Sequence, residues 1–189
     1  MMDPFSYLSV LISIVLGLGI TQLLGGFATL VRDRARIRMY WPLPVQMGVL
    51  FLIHVQLWWA LFSLRTHVIW QFSGFLVVLM QPVILFLVTA VITPESPRDE
   101  SIDLRARYFR ESRWFFAGLL ASVALSLLKS VIVAGSWPKP ADLVGHGLFA
   151  AIALTGLSTR NDLTHRIIAP LSLALYGAYI AVLFLDLPS

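Results

Sequence analysis

Among the polar residues inside long apolar runs, where no water is at hand to solvate them, are His54, His146, Gln22, Gln56 and Gln81. His54 and Gln56 lie in the run 41–64, Gln81 in 69–93, Gln22 in 5–31 and His146 in 141–157. Strongly polar side chains at membrane depth are costly and are functional candidates by default. His54 and Trp58 are four residues apart, and Gln56 and Trp59 three, so on a helix each pair shares a face. A cation or a flat ligand could rest against Trp58. His54, Gln56, Trp58, Gln81 and Gln22 are therefore the expected ligand-binding residues. The alternative is interhelical glue, since a buried His or Gln often only hydrogen-bonds a neighbouring helix. For His54 the expected partner is Gln81 or Gln22, with the ring neutral because burial disfavours the imidazolium.

A redox alternative uses the same histidines. His54 and His146 could be the two axial ligands of one b-type haem. Lys129 is close enough to the end of its run to snorkel outward, and Tyr176 and Tyr179 read as ordinary core or interface aromatics. All ten acids lie in loops or at span ends, which argues against a carboxylate proton relay or an aspartyl protease. It also leaves Lys129 without the counter-ion of a retinal Schiff base. The chain has no cysteine, so thiolate and iron–sulfur chemistry are excluded. No HExxH motif occurs, and no set of residues suggests a bound metal. Gly156-Leu157-Ser158 lacks the closing glycine of a serine nucleophile turn and reads as a helix end. Enzymatic activity is not the leading expectation.

The elements that must position these residues follow from composition. The chain has 189 residues, 58% hydrophobic and 13% charged, with mean hydropathy +0.83. A soluble domain would carry about 25% charged residues. At roughly 20 residues per span, the length supplies about six membrane helices and little else. A separate soluble catalytic domain and a nucleic-acid reader are both excluded. The predicted fold is an all-α polytopic bundle in a single membrane domain over 1–189. Its spans are at about 5–31, 41–64, 69–93, 114–134, 141–157 and 163–185. The first is read as a retained span, because Met1-Met2-Asp3-Pro4 lacks the basic n-region of a signal peptide. Pro82 and Pro170 fall inside spans 3 and 6, and a kink is expected at Pro82.

Residues 94–113 form the only sizeable polar segment. They read as a solvated cytoplasmic helical extension over about 98–113, capped by Asp99 or Ser101, with Asp103 and Arg107 spaced to pair. Alternating spans place Arg32, Arg34, Arg36, Arg38, Arg98, Arg105, Arg107, Arg110, Arg113, Arg160 and Arg166 on one side. Arg65, Lys129 and Lys139 fall toward the other. Eleven against three is a strong positive-inside bias. It predicts a multi-pass protein of the inner (plasma) membrane with both termini outside the cytoplasm.

Packing is expected along rows of small residues, which let helix backbones approach closely in lipid. Ser9, Ser13, Gly17, Thr21 and Gly25 recur every four residues in span 1, and Gly118, Ser122, Ser126 and Ser130 in span 4. These rows could meet inside one subunit or join a homo-oligomer. Trp41-Pro42-Leu43-Pro44 and Trp137-Pro138-Lys139-Pro140 open spans 2 and 5 alike. That hints at a three-plus-three inverted repeat, although Trp at an interface and Pro at a helix start also arise independently.

The leading functional expectation is a membrane protein that binds or conducts a small neutral or anionic solute, with lipid around it and no cofactor. His54, Gln56 and Gln81 would line the site, and Pro82 would open backbone carbonyls toward it. The alternatives are the haem or quinone protein and a structural or accessory subunit of a membrane complex.

Overall fold

The computed structural model of the protein describes residues 4–66, 71–95 and 101–183. Six helices account for most of it: α1 (Pro4–Arg32), α2 (Pro42–Leu61), α3 (Phe72–Ile92), α4 (Leu104–Ala134), α5 (Pro140–Ser158) and α6 (Asp162–Leu183). All six are long and apolar enough to cross a membrane. The protein is an all-α, multi-pass membrane bundle. The helix bounds agree with the expected spans within a few residues, except at span 4.

Span 4 and its polar extension form one continuous helix of 31 residues that starts at Leu104, not near residue 98. Its cap is neither Asp99, which lies outside the described residues, nor Ser101. Asp103 Oδ1 accepts from the amides of Arg105 at 2.8 Å and Ala106 at 3.0 Å. These bonds satisfy helix-start donors that have no intrahelical partner. They hold the Asp103 carboxyl below its ordinary range, the Ala106 amide contributing most. The expected Asp103–Arg107 pair does not form. Asp103 faces Arg38 at 3.8 Å, and Arg107 donates to the Thr93 carbonyl at 2.8 Å.

The arginine-rich loops converge at one end of the bundle. β1 (Ile37–Arg38) and β2 (Ile102–Asp103) pair in parallel there, each only two residues long. Tyr40 donates to Asp162 Oδ1 at 2.8 Å, and Arg105 Nε reaches the same oxygen at 3.3 Å. Burial and the neighbouring carboxylate push the Tyr40 phenol far above its usual range. Arg166 pairs with Asp162 one turn on, at 3.0 Å. Asp162 also suits the first turn of α6, where the helix dipole favours an anion. Below this lies His165, fully buried. Its Nε2 donates to the Thr159 carbonyl at 2.8 Å and its Nδ1 accepts from the Tyr108 hydroxyl at 3.0 Å. The rings of Phe109 and Phe116 pack around it.

The helices are arranged as a ring with one outlier. α3 packs on α4, α4 on α5, α5 on α6, α6 on α2, and α2 on α3, which closes a ring of five. α1 leans on the outside of this ring, against α2 and α3. Its packed face is Ile12, Leu16, Gly19, Leu23, Gly26 and Leu30, alternating steps of three and four. Gly19 allows the closest approach: a methyl there would overlap the His54 ring. α4 approaches α3 the same way at Gly118, against Val88. Gly135, in the left-handed conformation at φ 64°, ends α4, and Pro140 opens α5. The packing does not show the three-plus-three repeat, because α1 lies outside a ring that includes α4.

Candidate functional site

The five-helix ring lines a partly open cavity of about 160 Å³. Each ring helix presents polar groups to it: Gln56 from α2, Gln81 from α3, Ser122, Ser126, Lys129 and Ser130 from α4, Asp142 and His146 from α5, and Tyr176 and Tyr179 from α6. Ile53, Leu57, Leu85, Leu119 and Phe149 supply its apolar wall. α1 contributes nothing. The lining follows from helix periodicity: Ser122, Ser126 and Ser130 recur at steps of four on one stripe of α4, with Lys129 three beyond Ser126, and Asp142, His146 and Phe149 follow at steps of four and three on α5.

At one pole, Asp142 and His146 form a unit one helical turn apart. His146 Nδ1 lies 2.8 Å from the Asp142 carbonyl and 3.3 Å from its Oδ1. A carbonyl only accepts, so Nδ1 carries the proton. In the neutral ring Nε2 then accepts from the Ser126 hydroxyl, 2.9 Å away. The Tyr179 hydroxyl donates to Asp142 Oδ1. Ser130 donates to the Ser126 carbonyl at 3.2 Å. Lys129 stands in the same wall of α4. At the other pole, Gln81 Nε2 donates to both the carbonyl and the hydroxyl of Ser122, at 3.1 and 3.0 Å. Its Oε1 is buried without a donor. Tyr176 donates to Gln56 Oε1 at 3.0 Å, tying α6 to α2.

The expected site residues divide. Gln56 and Gln81 line the cavity. His54 does not, although it is fully buried. Its Nδ1 is bonded to the Leu50 carbonyl of its own helix at 2.8 Å, and its Nε2 is buried without a partner against Gly19 of α1. The expected bond to Gln81 or Gln22 is absent. Trp58 is 56% exposed on the outer surface, so the His54–Trp58 face is not a site wall. Gln22 is half-buried on α1, outside the ring. His146 faces the cavity while His54 faces α1, and the fold does not bring the two imidazoles together.

Sequence reasoning missed Lys129, Asp142 and the two tyrosines as cavity residues. Lys129 lines the cavity rather than reaching outward. Asp142 does sit at a helix start, as its position implied, yet its carboxylate turns into the bundle. The signal available was the spacing Asp142–His146 on α5. Among the small-residue rows, Gly118, Ser122, Ser126 and Ser130 do face other helices or the cavity. In the α1 row, Thr21 is exposed, Ser9 and Ser13 are half-buried, and a methyl added at Gly17 or Gly25 would meet nothing within 4 Å. That row does not carry packing within the chain.

No family model, curated protein or solved structure matches the chain.

Proposed function

We propose that the protein binds a small polar solute, neutral or anionic, in the cavity of its five-helix ring, and that the bundle serves its passage or sensing in the membrane. The observation that carries this reading is the cavity itself. Polar side chains from all five ring helices converge on one space, where the hydrocarbon surroundings make each of them costly without a task. Binding sites between bundle helices have this composition: an apolar wall with a few convergent polar groups. Size narrows the solute. A cavity of about 150 Å³ accommodates a benzene ring, so the space suits about six to eight non-hydrogen atoms. The arginine-rich end is assigned to the cytoplasm, on the eleven-to-three distribution of basic residues. The pole at Lys129 and Asp142 then lies toward the outer face, and α1 begins on that face.

Purified protein in nanodiscs tests this with acetate, lactate, glycine, glycerol, benzyl alcohol and benzoate as probes. At least one should raise the unfolding temperature, because a ligand that binds only the folded state stabilises it. Ser130→Phe, which fills the cavity, should abolish the shift. A panel with no stabilising member, or a Ser130→Phe variant that responds as the parent does, overturns the reading.

A further inference from the structure

The charge of the solute is decided by which cavity groups still lack partners. Asp142 is engaged by Tyr179 and His146. His146 is engaged by the Asp142 carbonyl and Ser126, Gln56 Oε1 by Tyr176, and the Ser122 hydroxyl by Gln81. Two further groups matter for a ligand. Lys129, among the described residues, makes no hydrogen bond and has no carboxylate within 4.0 Å, although it lines the cavity. Gln81 Oε1 is a buried acceptor with no donor. Lys129 is seven residues beyond Ser122, the partner of Gln81, which is about 10 Å along the α4 axis. Side chains lean toward the start of their helix, so the lysine stem shortens that gap.

We propose that the cavity takes a small, linear organic monocarboxylate bearing a hydroxyl group. Its carboxylate sits on the Lys129 ammonium and its hydroxyl donates to Gln81 Oε1. The inference rests on the solute-binding reading above and adds the ligand's charge and polarity. Ammonium–carboxylate contacts are charge-assisted and stronger than neutral ones. A cationic solute meets Lys129 as a like charge, and Oδ1 of Asp142 already accepts from Tyr179 and lies beside His146. A neutral solute leaves the ammonium with Asp142 as a counter-charge across the cavity but with no carboxylate in direct contact.

The test compares 4-hydroxybutyrate, butyrate and 1,4-butanediol, titrated by ligand-observed NMR into the protein in phosphatidylcholine nanodiscs. 4-Hydroxybutyrate should bind most tightly, butyrate about tenfold more weakly and the diol more weakly still. Lys129→Met should weaken both carboxylates by about ten- to hundredfold, the usual effect of losing a hydrogen bond to a charged group, and leave the diol unchanged. Gln81→Leu should erase the preference for 4-hydroxybutyrate over butyrate. Wild-type protein alone provides a further arm: nitrate should displace the carboxylates. Carboxylate binding that survives Lys129→Met, or that nitrate does not affect, overturns the assignment of Lys129. A diol that binds as well as the carboxylates and is lost in Ser130→Phe overturns the anion and leaves the cavity reading standing. No binding by any probe overturns both. Displacement of the carboxylates by added phosphatidylglycerol would make a lipid headgroup the occupant and overturn the solute.

Discussion

His54 and His165 are both fully buried, and they differ in what their rings meet. His165 has both nitrogens bonded, to Tyr108 and to the Thr159 carbonyl. His165→Ala would strand both partners in the protein interior and remove a ring packed on Phe109 and Phe116. The expected cost is about 3 kcal/mol of stability, read from denaturant unfolding in detergent. His54 has one bond, to a carbonyl already serving the helix, and an orphaned Nε2. An unpartnered buried acceptor is itself a cost. His54→Leu, of similar bulk, should therefore hold or slightly raise stability and leave solute binding intact. A loss of more than about 1 kcal/mol in that variant would mean Nε2 has a stabilising partner. Depth marked His54 in the sequence, but depth says nothing of which way a side chain turns. His165, beside Arg166 at a span end, carried no such mark.

At the scale of the element, two helices show how far spacing can be read. A row with a strict step of four advances about 40° around a helix at each step. The α1 row from Ser9 to Gly25 sweeps about 160° and leaves the packed face. The α4 row drifts too, but α4 has neighbours on both sides, so its row passes from Val88 and Gln81 of α3 to His146 of α5. Gly19→Leu should drive α1 off α2 and lower the unfolding temperature strongly. Gly17→Leu should leave the fold's stability unchanged; if it alters oligomer size in detergent, the α1 row is a contact between copies. The start of α4 adds a pH dependence. Asp103 has a depressed pKa in the folded state, so its capping contribution is fully present above the ordinary carboxylate value of about 3.9. It is lost as pH falls from there through the folded value. Asp103→Ala should cost about 1 kcal/mol at neutral pH and flatten the stability profile on the acid side.

For the whole molecule, the alternation of six spans fixes which loops share an end, and the structure brings those loops together through Tyr40, Asp162, Arg105 and the β1–β2 pair. Because the chain has no native cysteine, single cysteines report topology cleanly. Cysteine at Arg36 or Asn161 should be labelled only after the membrane is opened. Cysteine at Trp137, which is 75% exposed in the α4–α5 turn, should be labelled in intact cells. Labelling of position 36 from outside would reverse the assigned orientation and place the Lys129 pole toward the cytoplasm.

Six spans, the limits of all but the fourth and the gathering of arginines at one end were legible in the chain, because apolar run length and loop charge are local properties set against a solvent of known thickness. Gln81, buried, and Gln56, half-buried, were legible as polar residues within spans for the same reason. What tertiary structure alone decided was the ring: which five helices close on one another, and that α1 stays outside. That choice turned Lys129, Asp142, His146, Tyr176 and Tyr179 onto a common cavity and left His54 facing α1. The physical reason lies in lipid. Every helix is apolar on nearly all sides there, so hydrophobicity does not distinguish a face toward protein from a face toward hydrocarbon. The difference comes from close fit and hydrogen bonds between residues far apart in the chain, such as Tyr176 with Gln56 or Gln81 with Ser122, and those pairings exist only once the helices have met.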